Sequence, residues 1–144
     1  MDNLSPELRS ALMAKVRGKN TRPELVVRSM LHRSGFRYRL HVNKLPGRPD
    51  IVLPRWKTVI FVHGCFWHRH PGCKLTTTPK THPSFWLEKF DANVKRDTAN
   101  KLILEKIGWR VLIVWECETR DPEKLSKAVK PLFDLLKLYK NHAP

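Results

Sequence analysis

PDIVLPRWKTVIFVHGCFWH, residues 49–68, is the stretch that decides the fold. Two short apolar runs, 50–53 and 58–62, flank a turn through Pro54 and read as two strands of one sheet. Asp50 opens the first run, and His63, Cys65 and His68 follow directly on the second. Toward the C-terminus a long loop over 63–83 is rich in His, Pro, Thr and aromatic residues. Ser84 can then cap a helix running to about Ile107, with Gly108 just beyond as its stop. Residues 109–115 form the most apolar run, continuous rather than alternating, which predicts a strand buried on both faces. Asp121-Pro122-Glu123 opens a last amphipathic helix.

The N-terminal side completes the pattern. Phe36, Tyr38 and Leu40 alternate with basic residues, as a half-buried strand does. A helix before it starts at Thr21, with Pro23 in its first turn, Glu24 closing a capping box and Gly35 as the stop. An earlier helix runs from the Ser5-Pro6 start to Gly18. The order α-α-β-β-β-loop-α-β-α predicts a small mixed sheet with helices on both faces.

The 144 residues carry no repeat, low-complexity tract or Gly/Ser linker, so residues 1–144 read as one domain. A chain of this length buries roughly two-thirds of its unfolded surface without disulfide staples. Three cysteines exclude a closed disulfide framework and point to a reducing cytoplasm. No stretch approaches the ~20 apolar residues of a membrane span, and the polar start does not read as a signal peptide. Lys and Arg number 28 against 13 Asp and Glu, a net charge of +15. That balance predicts attraction to polyanions, weakening as salt rises, although charge also serves solubility. Between Lys15 and Lys57 the only acids are Glu24 and Asp50, and two carboxylates left in so basic a stretch need a reason.

Cys65, His70 and Cys73 follow the pattern Cys-x4-His-x2-Cys, and Cys117 stands just past the last apolar strand. Four soft ligands match a closed, tetrahedral structural zinc site. Three cysteines behaving as small buried apolar residues are the alternative. Asp50, at the start of one strand and beside the next, is placed as nucleases place a carboxylate that holds a divalent ion. An acid-x-Lys on the second strand is missing, which leaves backbone carbonyls there with His63 and His68 close behind. Asn93 and Asp97 share a helix face, so Asp97 can orient His68 as a general base. Each has an ordinary alternative: a turn role for Asp50, capping for Glu24, and a pair with Lys101 for Asp97. Phe66, Trp67 and Trp86 could wedge between base pairs, though their composition favours a small core beneath the loop.

Read together, the residues resemble the very short patch repair (Vsr) endonucleases. The matching stretches are TRPE (21–24), LPGRPD (45–50), VIFVHGCFWH (59–68), FWLEK (85–89), NVKRD (93–97) and GWRVLIVWEC (108–117). The resemblance implies a restriction-endonuclease-like three-layer α/β/α fold with a small mixed sheet and a structural zinc loop. It implies a Mg²⁺-dependent nick 5′ to the mismatched thymine of T:G pairs left by deamination of 5-methylcytosine. Carried over by position, Asp50 and the Val62 carbonyl hold Mg²⁺. Glu24, His63 and Asn93 arrange waters and the phosphate, and His68 with Asp97 takes the proton of the attacking water. Cys65, His70, Cys73 and Cys117 match the structural zinc ligands, and Phe66, Trp67 and Trp86 match the intercalating aromatics, against the small-core alternative. Residues 1–20 are expected to contact DNA, and 63–83 to form the zinc and active-site loop. Some members carry threonine where Val62 stands, and a run of histidines where Arg69, Pro71 and Gly72 stand.

The expected partner is therefore double-stranded DNA with a T:G mismatch, met by a monomer in the cytoplasm and on the nucleoid. A cytosine-5 methyltransferase and other repair proteins are expected to act in the same process. Two further readings are kept open. One is a restriction-like or structure-specific DNA nuclease without T:G preference, and the other a non-catalytic zinc-stabilised DNA-binding module.

Overall fold

A computed structural model describes residues 20–142 of the chain. The expected helix over 5–18 lies outside the described residues, as does the DNA contact expected of residues 1–20, Asn20 apart.

Thr21 caps α1 (Arg22–Arg33) as expected, its hydroxyl accepting the Glu24 N–H at 3.4 Å, and Pro23 fits the first turn. At the other end the Gly35 N–H bonds His32 O at 3.1 Å and the Phe36 N–H bonds Leu31 O at 3.0 Å. This double closure needs a left-handed residue, and Gly35 supplies it at φ 96°. It also turns Phe36 straight into the core, with Tyr38 packed against the same cluster. The strand expected over 36–40 accordingly shrinks to β1 (Arg39–Leu40), since its apolar members fill the core instead of pairing.

β1 pairs antiparallel with β2 (Ile51–Leu53), and β2 antiparallel with β3 (Thr58–His63) across a short 3-10 turn at Pro54–Trp56. β3 pairs in parallel with β4 (Arg110–Trp115), giving the order β1-β2-β3-β4. Between β3 and β4 run the one-turn helix α2 (Cys65–His68) and the long helix α3 (Pro83–Lys106), and the chain closes with α4 (Pro122–Ala128) and α5 (Lys130–His142).

Side chains alternate across the strands, so the sheet is covered twice. Ile51, Leu53, Ile60, Leu112 and Val114 pack on α1, α4 and α5. Val52 and Val59 pack on Leu104 of α3 from the opposite face. The result is the expected mixed α/β architecture in three layers. Each such buried side chain stabilises the fold by about 1.5–3 kcal/mol. Val27 and Leu31, both fully buried, therefore anchor α1 and fix Glu24 one turn earlier on the same face.

Four boundaries differ from expectation for local reasons. β4 is the edge strand, and α3 covers its second face incompletely; Leu112 and Val114 are buried while Val111, Ile113 and Trp115 are only partly so. Ser84 lies inside the first turn of α3, where Pro83 takes the first helical position after a left-handed His82. The loop over 63–83 contains α2. The last helix divides at Val129 because Pro131 has no N–H to continue the ladder. Among the described residues no helix is long and apolar enough to cross a membrane.

Candidate active site

The sheet register gathers the polar residues singled out above. In the antiparallel pair Ile51 opposes Ile60, so Asp50 arrives beside Val62, whose N–H donates to Asp50 Oδ2 at 2.7 Å. The parallel pairing of His63 with Trp115 carries Cys65 and Cys117 to the same end of the sheet, each two residues beyond its strand. α1 brings Glu24 from one side and α3 brings Asn93 and Asp97 from the other. A cleft of about 950 Å³ is lined by Glu24, Asp50, His63, His68, Asn93 and Asp97, with Arg22, Arg48 and Arg96 at its walls.

Glu24 is 4% exposed. Its Oε2 accepts from Arg28 at 2.8 Å and from the Asn20 N–H at 3.2 Å, and lies 3.0 Å from His41 Nε2. Ligand atoms of Glu24, His41 and Asp50 all lie within 4.8 Å of one another. Burial drives the Asp50 carboxyl up to about 6, against the pull of the Val62 N–H, and the charge of Glu24 adds to the rise. Two facing carboxylates in a half-dry cleft disfavour ionisation together, and a divalent cation relieves that conflict. The paired carboxylate oxygens fit a hard oxygen-seeking ion such as Mg²⁺.

On the far side, Asp97 Oδ2 lies 2.6 Å from His68 Nδ1. A carboxylate accepts only from an N–H, so this bond places a proton on His68 Nδ1 and turns Nε2 away from Asp97. The His63 ring stacks on His68 with centroids 3.8 Å apart and planes 7° from parallel. Asp97 thus pairs with His68 rather than with Lys101. Asn93, one turn before it and buried, donates to Trp67 O at 3.3 Å, tying α3 to α2.

Cys65, His70, Cys73 and Cys117 form a second cluster, with ligand atoms all within 4.8 Å of one another. Tetrahedral zinc, with bonds of about 2.3 Å to sulfur and about 2.0 Å to nitrogen, sets sulfur and nitrogen ligands roughly 3.5 Å apart. His70 Nδ1 lies 3.7 Å from Cys65 Sγ and 3.4 Å from Cys117 Sγ, spacings that match tetrahedral zinc. The three cysteines form no disulfide. Burial drives the Cys65 thiol up to about 12 and raises Cys117 as well, while the Leu75 N–H draws Cys73 down. Glu116 Oε1 accepts the Cys65 N–H at 3.2 Å, and the His70 ring stacks on Trp115 at 4.3 Å.

Phe66, Trp67 and Trp86 sit in one aromatic cluster centred on Phe90. Trp67 and Trp86 are 6% and 1% exposed, and Phe66 keeps a partly open face on the cleft. Arg69 caps the cluster, with its guanidinium 3.9 Å from the Phe90 ring centre, and bonds Thr77 O and Thr78 Oγ1.

Sequence reasoning missed three residues in this neighbourhood. Arg28 was findable as the i+4 partner of Glu24. His41 was not, because only the β1–β2 register reveals that it faces Asp50. The packing of Arg69 on Phe90 likewise has no local signature.

Comparison with known proteins adds relatives over nearly the whole chain. The family profile described as DNA mismatch endonuclease Vsr matches residues 1–74. The type II nicking enzyme V.XorIIP of Xanthomonas oryzae pv. oryzae is 50% identical over 133 residues, covering 92% of this chain and 97% of its own length. The type II nicking enzyme V.NmeAIP of Neisseria meningitidis is 44% identical over 137 residues, with the same two coverages of 92% and 97%. The DNA mismatch endonuclease Vsr of Escherichia coli is 46% identical over 118 residues, covering 82% of this chain and 75% of its own.

Proposed function

This chain belongs to the Vsr family of DNA mismatch endonucleases, and on that premise we propose that it nicks duplex DNA 5′ to the mismatched thymine of T:G pairs. Such pairs arise when 5-methylcytosine is deaminated, and the nick starts very short patch repair. The observation that carries the reading is the convergence of two carboxylates and a carboxylate-held histidine in one cleft of a chain with net charge +15.

Asp50 and the carbonyl of Val62 would hold Mg²⁺, which when bound supplies charge stabilisation at the phosphate and the leaving oxygen. Glu24, His63 and Asn93 orient water and phosphate around that centre. His68 Nε2 takes the proton of the attacking water, and Asp97 steadies the imidazolium that results. Cys65, His70, Cys73 and Cys117 would hold a structural zinc, with His68 lying between the first two of them in the chain. Arg22, Arg48 and Arg96 draw the DNA backbone toward the cleft. Phe66 leads the aromatic wedge, and Trp67 and Trp86 reach bases only once their cluster opens. One cleft cutting one strand is consistent with a monomer.

Mismatch preference follows from deformability. Wedging costs a few kcal/mol per step, and a wobble pair opens more cheaply than a Watson–Crick pair. A difference of about 3 kcal/mol is about 10²-fold in rate. The test compares nicking of T:G, T:A and branched duplexes under identical salt. A rate on T:G about 10²-fold above T:A supports the reading, whereas equal rates move the assignment to a nuclease without mismatch preference. That second reading is favoured by V.XorIIP and V.NmeAIP, both called type II nicking enzymes.

Asp97→Asn provides a separate check on the base. The amide can donate to Nδ1 and so favours the wrong tautomer of His68. We expect kcat to fall about 10²-fold with DNA affinity unchanged, within the 10²- to 10⁴-fold that general-base loss costs. An unchanged kcat would remove His68 and Asp97 from the proton path.

A further inference from the structure

We infer that His41 is a positioning residue of the nicking reaction, holding the Glu24 carboxylate at a fixed distance from Asp50. The inference rests on the assignment of Glu24 and Asp50 to the metal and phosphate centre made above, and adds to it a residue outside every motif that pointed there.

The geometry is specific. His41 stands one residue beyond β1, and its backbone N–H donates to Asp50 O at 3.1 Å, continuing the β1–β2 pairing past Leu40 and Ile51. Its ring reaches the other way, with Nε2 3.0 Å from Glu24 Oε2. One residue therefore ties the main chain of one carboxylate to the side chain of the other. Among the described residues Glu24 Oε2 has three neighbours of this kind: the Arg28 guanidinium and the Asn20 N–H belong to α1 and the residue pair leading into it, and His41 comes from the sheet side. The other contacts on Glu24 among the described residues fix it to its own helix, so His41 is the tie that sets its separation from Asp50.

The backbone agrees. His41 has φ 48°, in the left-handed region, where a side chain other than glycine is uncommon although histidine is among the better tolerated. Strain of this sort persists where the surroundings over-determine a residue, and it concentrates at functional sites. The imidazole is 15% exposed against 5% for the Glu24 side chain, so the contact is sheltered from competing water. Direct ligation of the ion by His41 is the competing role. It is disfavoured because Arg28 Nη2 lies 3.5 Å from the same Nε2 and would crowd a cation with like charge.

Residues that orient metal-site carboxylates typically change metal affinity or activity by 10- to 100-fold when removed. The experiment measures single-turnover nicking of a T:G duplex across a Mg²⁺ titration for wild type, Asp50→Ala, His41→Ala and His41→Gln, with a thermal melt of each. We expect His41→Ala to lower the maximal rate about 10- to 100-fold and raise the Mg²⁺ needed for half-maximal rate, with DNA binding in Ca²⁺ unchanged. His41→Gln keeps an N–H donor at nearly the same reach and should restore most of both. A His41→Ala protein that nicks like wild type, or whose loss is matched by a lower melting temperature and an unmoved Mg²⁺ midpoint, overturns the inference. So does a Gln variant that fails as fully as His41→Ala, since a hydrogen-bonding role is met by the amide N–H. Failure of the underlying assignment looks different: wild type then ignores T:G, or Asp50→Ala cuts as well as wild type.

Discussion

Replacing Asp50 with asparagine should abolish nicking and, in the same protein, raise the melting temperature of the metal-free fold. The two effects share one cause. Folding lifts the Asp50 carboxyl from 3.8 to about 6, chiefly by burial. A raised carboxyl binds its proton more tightly in the folded state, so stability falls as pH rises from about 4 to about 6 and the full cost persists above that. The shift corresponds to at most about 3 kcal/mol, reduced by water reaching the cleft. Asparagine keeps an oxygen for the Val62 N–H without the charge. At pH 7.5 we expect a gain of about 1–3 kcal/mol, read as a rise of roughly 3–10 °C in Tm. At pH 4 the gain should vanish. Mg²⁺ should stabilise the wild type and leave Asp50→Asn unmoved.

The same shift sets the pH dependence of the reaction. Nicking should rise with pH as Asp50 ionises, with a midpoint near 6 at low Mg²⁺ that moves lower as Mg²⁺ increases, because cation and proton compete for one carboxylate. Loss of the ion's holder removes several kcal/mol of transition-state stabilisation, so kcat should drop at least about 10³-fold. An Asp50→Asn protein no more stable than wild type at pH 7.5 would mean that the charge is not held against its preference.

Removal of the proposed zinc should have the other large effect. Between β3 and α3 the regular structure is the four-residue α2, and a metal on Cys65, His70, Cys73 and Cys117 would tie this segment to the end of β4. Apparent binding energies of structural zinc reach about 10–16 kcal/mol in small peptides, as large as the whole ~5–15 kcal/mol stability of a domain. His68 lies within this segment, so losing the metal frees it from Asp97. Chelation, or Cys117→Ala, should release zinc, lower Tm sharply and reduce nicking by about 10³-fold, with recovery of the chelated protein on adding zinc. Refilling should release protons, since burial holds Cys65 up to about 12 without metal. Full nicking after stoichiometric zinc loss would make the cluster dispensable.

Much of this was legible before any coordinates. Strands β2 and β3 were readable because apolar runs bounded by Pro54 and His63 leave little choice of register. Thr21 and Gly35 marked the ends of α1 through chemistry that only those residue types supply. The fourth zinc-type ligand, Cys117, was legible because it stood alone past a strand with no packing reason to be there. What escaped depended on partners far apart in sequence. Phe36 abandoned its strand because the turn at Gly35 aims it at Trp56 and Phe133, which no local pattern records. β4 looked doubly buried because apolar content does not tell a central strand from an edge. His41 reads as a loop residue until the sheet places it opposite Asp50.

The most direct measurement of the central claim is the position of the nick. An end-labelled duplex carrying one T:G pair inside randomised flanks is incubated with Mg²⁺ and zinc-loaded protein, beside a matched duplex and Asp50→Ala. A single nick 5′ to the mismatched thymine, absent from both controls, is expected. Scattered or equal cutting of the matched duplex, or tight salt-sensitive binding with no cut at all, would contradict it.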